Sequence, residues 1–172
     1  MSYSIVDHIH IYSVWTAARA VQRNFTNTEN IKSAIECTTL KTFIDSKKVF
    51  TSDSFDRDHI EIANKIIDRL KVKHVDTSYG RAAKIIAIYL KTAVIIRSSY
   101  CSLAKFAHPP IDSILLSKLN EKYPFLKLSD IRWTQLDENE YFKTINKLRK
   151  VEFSYFWEIE QHWSPIKNEN AC

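Results

Sequence analysis

Glycine occurs once in this 172-residue chain, at Gly80. Ordinary usage would place roughly a dozen glycines in a chain of this length. Proline is scarce as well, with four residues. Sheet-rich folds need frequent tight turns, and those turns draw on glycine for left-handed backbone. A chain so poor in turn residues predicts helices joined by short loops. The one glycine that remains points to a backbone requirement, either a positive φ or an approach too close for a Cβ. The segment after it, Arg81 to Lys91, is apolar nearly all round, so Gly80 is expected to open a buried helix.

Periodicity divides the rest into helical stretches, and no repeat, low-complexity tract or long linker interrupts them. Ile9 to Arg23 has a helical apolar side in Ile9, Val14, Trp15, Ala18 and Val21. Thr26-Asn27-Thr28-Glu29 has the form of a capping box, which predicts a helix to about Cys37. Lys41 to Ser54 is polar and irregular, with one short turn around Phe43. Ile60, Ile62, Ala63, Ile66, Ile67 and Leu70 recur at helical spacing within Phe55 to Leu70. The central helix is expected from Ser78 to about Ile96. Arg97 to His108 reads as a loop or short broken helix, and Pro110 or Ile111 starts a helix reaching about Tyr123. Asp137-Glu138-Asn139-Glu140 is another capping box, opening a helix to about Lys150, and Phe153 to Trp163 is a last aromatic helix. The expectation is one all-α domain over residues 1–172, a compact bundle of six to eight helices.

Hydrophobic residues are 45% and charged residues 26% of the chain, values that argue for a packed core and against disorder. The net charge of +5 is compatible with nucleic acid as a partner, though many basic proteins bind none. Cys37, Cys101 and Cys172 are far apart, without a CxxC pair or Cys/His cluster, so no metal site and no other cofactor is predicted. The segment Met1 to Asp7 lacks a basic region followed by an apolar run, which predicts no signal peptide and a cytoplasmic protein. Lys84 and Lys91 cut the longest apolar run, which excludes it as a membrane span.

Arg81, Lys84 and Lys91 fall within one narrow arc of the central helix, because each helical residue advances roughly 100°. Such a stripe suits a phosphate-facing groove, and equally a solvated edge with lysine stems lying over apolar neighbours. Gly80 at the helix start fits a tight hairpin whose free N–H groups hold a phosphate, or a plain packing position. Pro109 and Pro110 fix φ and remove two donors, so the next helix starts at a set angle. Asp112 then stands at or near its N-cap, where an ionised carboxylate is favoured. A rigid carboxylate suits the stabilisation of an oxocarbenium-like sugar, and it is also an ordinary cap. His108 lies near Asp112 at that helix start and is a candidate nucleic-acid contact or a loop residue. The aromatic residues from Trp133 to Trp163 fit base stacking or docking into the core.

The stretch Ser78-Tyr79-Gly80-Arg81-Ala82-Ala83 followed by Pro110-Ile111-Asp112 resembles the hairpin and proline–aspartate element of the helix-hairpin-helix base-excision DNA glycosylases. Ala83-Lys84 and Ile111-Asp112-Ser113 are also similar to bacterial proteins with an oxoguanine-glycosylase-like fold. The resemblance covers Ser78 to Leu119. It implies that Asp112 is the catalytic aspartate, that hairpin N–H groups around Gly80 hold the DNA backbone, and that Lys84 is the amine nucleophile. Ser78 stands where the family has its first hairpin glycine. Matching Gly80 to the family puts Ala82 at the lysine position, whereas matching Lys84 loses the glycine. The expected function is DNA binding, with cleavage of the N-glycosidic bond of a flipped base. The other is a non-catalytic helical adaptor or regulator of a protein or nucleic acid.

Overall fold

The computed structural model describes residues 3–164, so Met1, Ser2 and the segment 165–172 with Cys172 lie outside the described residues. Within them the chain is all-helical and contains no strand. Seven α-helices follow one another: α1 (Ile5–Val21), α2 (Thr28–Glu36), α3 (Ser52–Val72), α4 (Tyr79–Leu90), α5 (Ser102–Phe106), α6 (Ser113–Lys122) and α7 (Glu138–Leu148). A π turn, Lys91–Ile95, continues α4, and 3-10 turns lie at Leu40–Phe43, Pro124–Leu126, Trp133–Gln135 and Phe156–His162. No helix of the described residues is long and apolar enough to cross a membrane.

The helix starts follow side-chain capping. Ser78 caps α4 by accepting from the Arg81 N–H at 3.2 Å, and Asp137 with Glu140 caps α7, both at the positions that the sequence predicts. Three starts differ from the expectation. α1 begins ahead of Ile9 because Ser4 and Asp7 exchange side-chain and backbone hydrogen bonds. In α2 the cap is Asn27 rather than Thr26, its oxygen accepting from the Asn30 N–H at 2.9 Å. α6 begins at Ser113, since Asp112 is extended and accepts from the Leu115 N–H at 2.9 Å. The aromatic tail also departs from an α-helix. It forms a 3-10 turn, whose three-residue repeat sets Phe156 and Ile159 on the same buried side.

Helix α4 is the axis of the fold, packed against α1, α3, α7 and the 133–135 turn. Ala82, Ala83, Ile85, Ile86, Tyr89 and Leu90 are all buried on it. Val14, Ala17 and Ala18 face it from α1, and Phe55, Ile62, Ile66 and Leu70 belong to the same core from α3. Each large aliphatic side chain sealed this way contributes about 1.5–3 kcal/mol before entropy is counted.

With one glycine available, the left-handed turns fall to other residues, Asn24, His74 and Lys127, at φ of 54°, 58° and 52°. At His74 the chain leaves α3 through paired closing bonds, the His74 N–H to Lys71 O at 2.9 Å and the Val75 N–H to Leu70 O at 3.0 Å. Gly80 itself has no positive φ. It lies inside the first turn of α4, where the main chain of Trp133 passes so close that a methyl group would overlap its carbonyl oxygen. The Gly80 N–H donates to the carbonyl of Leu136 at 3.0 Å. The glycine is therefore a close-packing position. A hairpin with free N–H groups for phosphate does not form there, because this N–H is occupied and the residue is buried.

Candidate functional site

Lys84 and Asp112 meet beside α4. The Lys84 ammonium donates to Asp112 Oδ2 at 3.2 Å, and both side chains are largely buried, 10% and 16% exposed. α4 carries Lys84 on the side that faces the start of α6, and the Pro109–Pro110 stretch delivers Asp112 to it. Asp112 Oδ1 caps α6, which leaves Oδ2 for Lys84 and for the indole N–H of Trp163 at 3.1 Å. The ammonium also lies over the ring of Trp133, 4.4 Å from its centre. Two turns further on, at the first residue of the π turn that continues α4, Lys91 forms an ion pair with Glu160 and lies 5.8 Å from the Trp163 ring centre. Burial pushes the Glu160 carboxyl up against the opposing pull of Lys91, with Asp112 adding to the rise. The result is a sheltered group of two cations and two carboxylates flanked by two indoles. Charges paired with so little exposure interact more strongly than they would in water.

Lys84 and Lys91 come to one side, beside Trp163, but the basic stripe is not a free cationic surface. Lys84 and Lys91 are each paired to a carboxylate, and the half-buried Arg81 lies 4.4 Å over the Phe25 ring. Gly80 and His108, both expected at a nucleic-acid surface, are buried. The aromatic residues divide between two roles. Phe142 and Phe156 pack into the core cluster, Trp157 donates to the Ser99 carbonyl at 2.9 Å, and Trp133 and Trp163 flank the Lys84–Asp112 pair.

A second group of polar residues, missed in the sequence, lies behind this site. The Arg149 fork binds Asp56 through both nitrogens at 2.9 and 2.6 Å. Burial raises the Asp56 carboxyl, but hydrogen bonds from His108 and Arg149 outweigh it and hold it well below the usual carboxylate range. An ionised Asp56 can only accept, and that sets the direction of the whole chain of bonds. His108 Nε2 donates to Asp56 at 2.9 Å, and the Tyr141 hydroxyl donates to His108 Nδ1 at 3.1 Å. His59 Nε2 reaches the Tyr141 oxygen at 3.5 Å, and the Tyr79 hydroxyl donates to His59 Nδ1 at 3.0 Å. A separate pair, His10 with Tyr89 at 2.7 Å, joins α1 to α4. The signal was the placement of His59 one turn after Phe55 and ahead of Ile62 and Ile66, on the buried face of α3. A histidine on such a face needs partners, and tyrosines supply them.

Burial lowers the imidazole of His10, of His59 and of His108, so all three stand uncharged in the core. Below an ordinary histidine pKa of about 6.5 the unfolded chain takes up protons that the folded chain refuses, so stability falls with pH. His162 is lowered by burial as well, and the Glu160 carboxyl works in the opposite sense, one group against four. The melting midpoint is expected to be highest above about pH 7 and to drop steadily towards pH 5. A midpoint that stays flat over that interval would show these histidines to be charged in the native state.

Comparison with family models, with curated proteins and with solved structures gives no match for this chain. Cys37 and Cys101 are free thiols. Among the described residues no group of three or more His, Cys, Asp or Glu side chains converges as a metal site would require. Lys84 and Asp112 are the two candidate catalytic residues, and the structure brings them together.

Proposed function

We propose that the chain is a DNA-binding protein that cleaves the N-glycosidic bond of a flipped base, with Lys84 as nucleophile and Asp112 as the stabilising carboxylate. The observation that carries this is the meeting of two residues 28 apart in sequence in one sheltered pair flanked by indoles. It also favours the alignment of Lys84, rather than Gly80, with the family that the segment resembles. In the reaction Lys84 first gives up a proton, which passes through solvent to the departing base, so that Asp112 stays ionised beside the amine. The amine then bonds to the sugar C1′ as the C1′–N bond breaks, and the base leaves with the bonding electrons and takes a proton. Asp112 offsets the positive charge that grows on the sugar. Opening of the sugar ring converts the adduct to an imine that borohydride reduces to a stable link. The flipped base needs flat faces to stack on, and Trp133 and Trp163 are the rings at hand.

The test is incubation of the protein with a panel of duplexes bearing damaged or modified bases at low salt, with borohydride present. The expected result is base release from at least one duplex and a covalent protein–DNA adduct that Lys84→Gln does not form. Absence of both for every substrate would overturn the reading. It would favour a non-catalytic adaptor, for which the outer face of α1 speaks. There Ile11, Tyr12 and Trp15 are about half exposed, and the Tyr12 and Trp15 rings stack at 5.7 Å.

A further inference from the structure

We propose that His108 is a positioning residue, which holds Asp112 against Lys84 through a stiff two-proline strut anchored in the buried histidine–tyrosine chain. The consequence for catalysis rests on the glycosidic-bond reading, whereas the mechanical link does not. The segment from His108 to Asp112 contains two successive prolines, so both His108 and Pro109 precede a proline and are confined to extended backbone. Residues His108 to Ile111 are all buried, yet none of them makes a backbone hydrogen bond to another described residue. Ladder bonds do not set their course. The last backbone bond before them is Ala107 N–H to Leu103 O at 2.8 Å, and the next is Leu116 N–H to the Asp112 carbonyl at 3.0 Å.

The polar tethers of this strut are therefore the side chains at its two ends. At one end Asp112 meets Lys84 and Trp163. At the other, the 2% exposed His108 ring is held from both sides, by Asp56 of α3 and by Tyr141 of α7. Asp56 is fixed in turn by Arg149, and Tyr141 by His59, whose other nitrogen is bound to Tyr79 at the start of α4. Tyr79 and Lys84 share α4. The chain of bonds thus ties the helix that carries the amine to the strut that carries the carboxylate, by a route that leaves the site itself untouched. Two successive prolines leave this segment little freedom to bend, so a displacement at His108 is passed on towards Asp112.

The experiment follows the indole N–H resonance of Trp163, which donates to Asp112 Oδ2, in the full chain carrying 15N-labelled tryptophan, with Trp163→Phe to assign it. Tyr141→Phe removes the hydroxyl that holds His108 while keeping the ring and the net charge. Tyr89→Phe deletes the equivalent hydroxyl at His10, and both variants are expected to melt earlier. Loosening of Asp112 frees this N–H from its acceptor, so Tyr141→Phe should move the resonance and speed its exchange with water by about threefold or more. Tyr89→Phe should leave the resonance in place, and Asp112→Asn sets the full size of the change. His108→Gln should shift it further than Tyr141→Phe, and if it does not fold the Tyr141 variant decides alone. An unmoved resonance in Tyr141→Phe, or an equal movement in Tyr89→Phe, overturns the proposal. A resonance that moves while wild-type protein releases no base would overturn the catalytic reading and leave the strut standing.

Discussion

Replacement of Gly80 by alanine is expected to lower stability by roughly 2–4 kcal/mol, a fall in melting midpoint of about 5–15 °C for a domain of this size. The direction is not trivial, because alanine in a helix is intrinsically favoured over glycine by about 1 kcal/mol. At Gly80 the added methyl would overlap the Trp133 carbonyl oxygen, with the carbonyl carbon at 3.1 Å and Leu136 Cβ at 3.3 Å. The first two of those atoms are main chain and cannot rotate away. Relief requires the 133–136 segment to move off α4, which stretches the bond from the Gly80 N–H to Leu136 O. A hydrogen bond of that kind is worth about 1 kcal/mol net. The same movement withdraws the Trp133 ring from Lys84, so the loss extends to the candidate site. Thermal melting of Gly80→Ala and Gly80→Ser measures it. A midpoint equal to or above that of the parent protein would show the 133–136 segment to be loosely held.

Asp112→Asn is expected to reduce base release by about a hundredfold or more, since groups aimed at developing charge are worth about 3 kcal/mol each. Asparagine keeps the size and the capping oxygen, so α6 should still start at Ser113. It does not keep the ion pair. Lys84 would be left with an amide beside it in a sheltered position, and an unpaired buried charge is commonly destabilising by about 3–5 kcal/mol. A loss of activity in this variant therefore has two sources, the chemistry and the fold. The double variant Lys84→Gln/Asp112→Asn separates them, because removing both charges together should restore most of the stability lost in Asp112→Asn. Single-turnover rates of base release for wild type and Asp112→Asn, measured below the melting range of the variant, give the chemical part. Equal rates would reduce Asp112 to an ordinary cap.

The fold class was legible because its signals are local. The scarcity of glycine, the capping residues Ser78 and Asp137, and the spacing of Ile62, Ile66 and Leu70 each act over a turn or two of chain. The capping pair Ser4 and Asp7 was equally local and went unread because the apolar pattern of α1 becomes clear only after Ile9. The site was half legible. Lys84 and Asp112 stood out through their neighbours, a buried helix and a proline pair. The partnership of Asp112 with Trp163, and of Lys91 with Glu160, depends on how the last turn lies against α5 and α6, and no sequence spacing encodes that. Gly80 shows the same limit. The sequence leaves open whether positive φ or close approach accounts for it, and the answer lies with Trp133, more than fifty positions away. The histidines gave least, because a His–Tyr bond across 79 residues has no local trace.

Those long spans also dictate an order of assembly. On a chain emerging from a ribosome, α1 and α2 appear first, but His10 waits for Tyr89 of α4, His59 of α3 for Tyr79 of α4, and His108 for Tyr141 of α7. Early apolar collapse among the first three helices must therefore proceed with histidines that lack their final partners and are still in contact with water. The bonds that complete the buried chain, those to Tyr141, form only once α7 is available. Folding of this domain is then closer to a latch closed from the C-terminal side than to a bundle grown helix by helix.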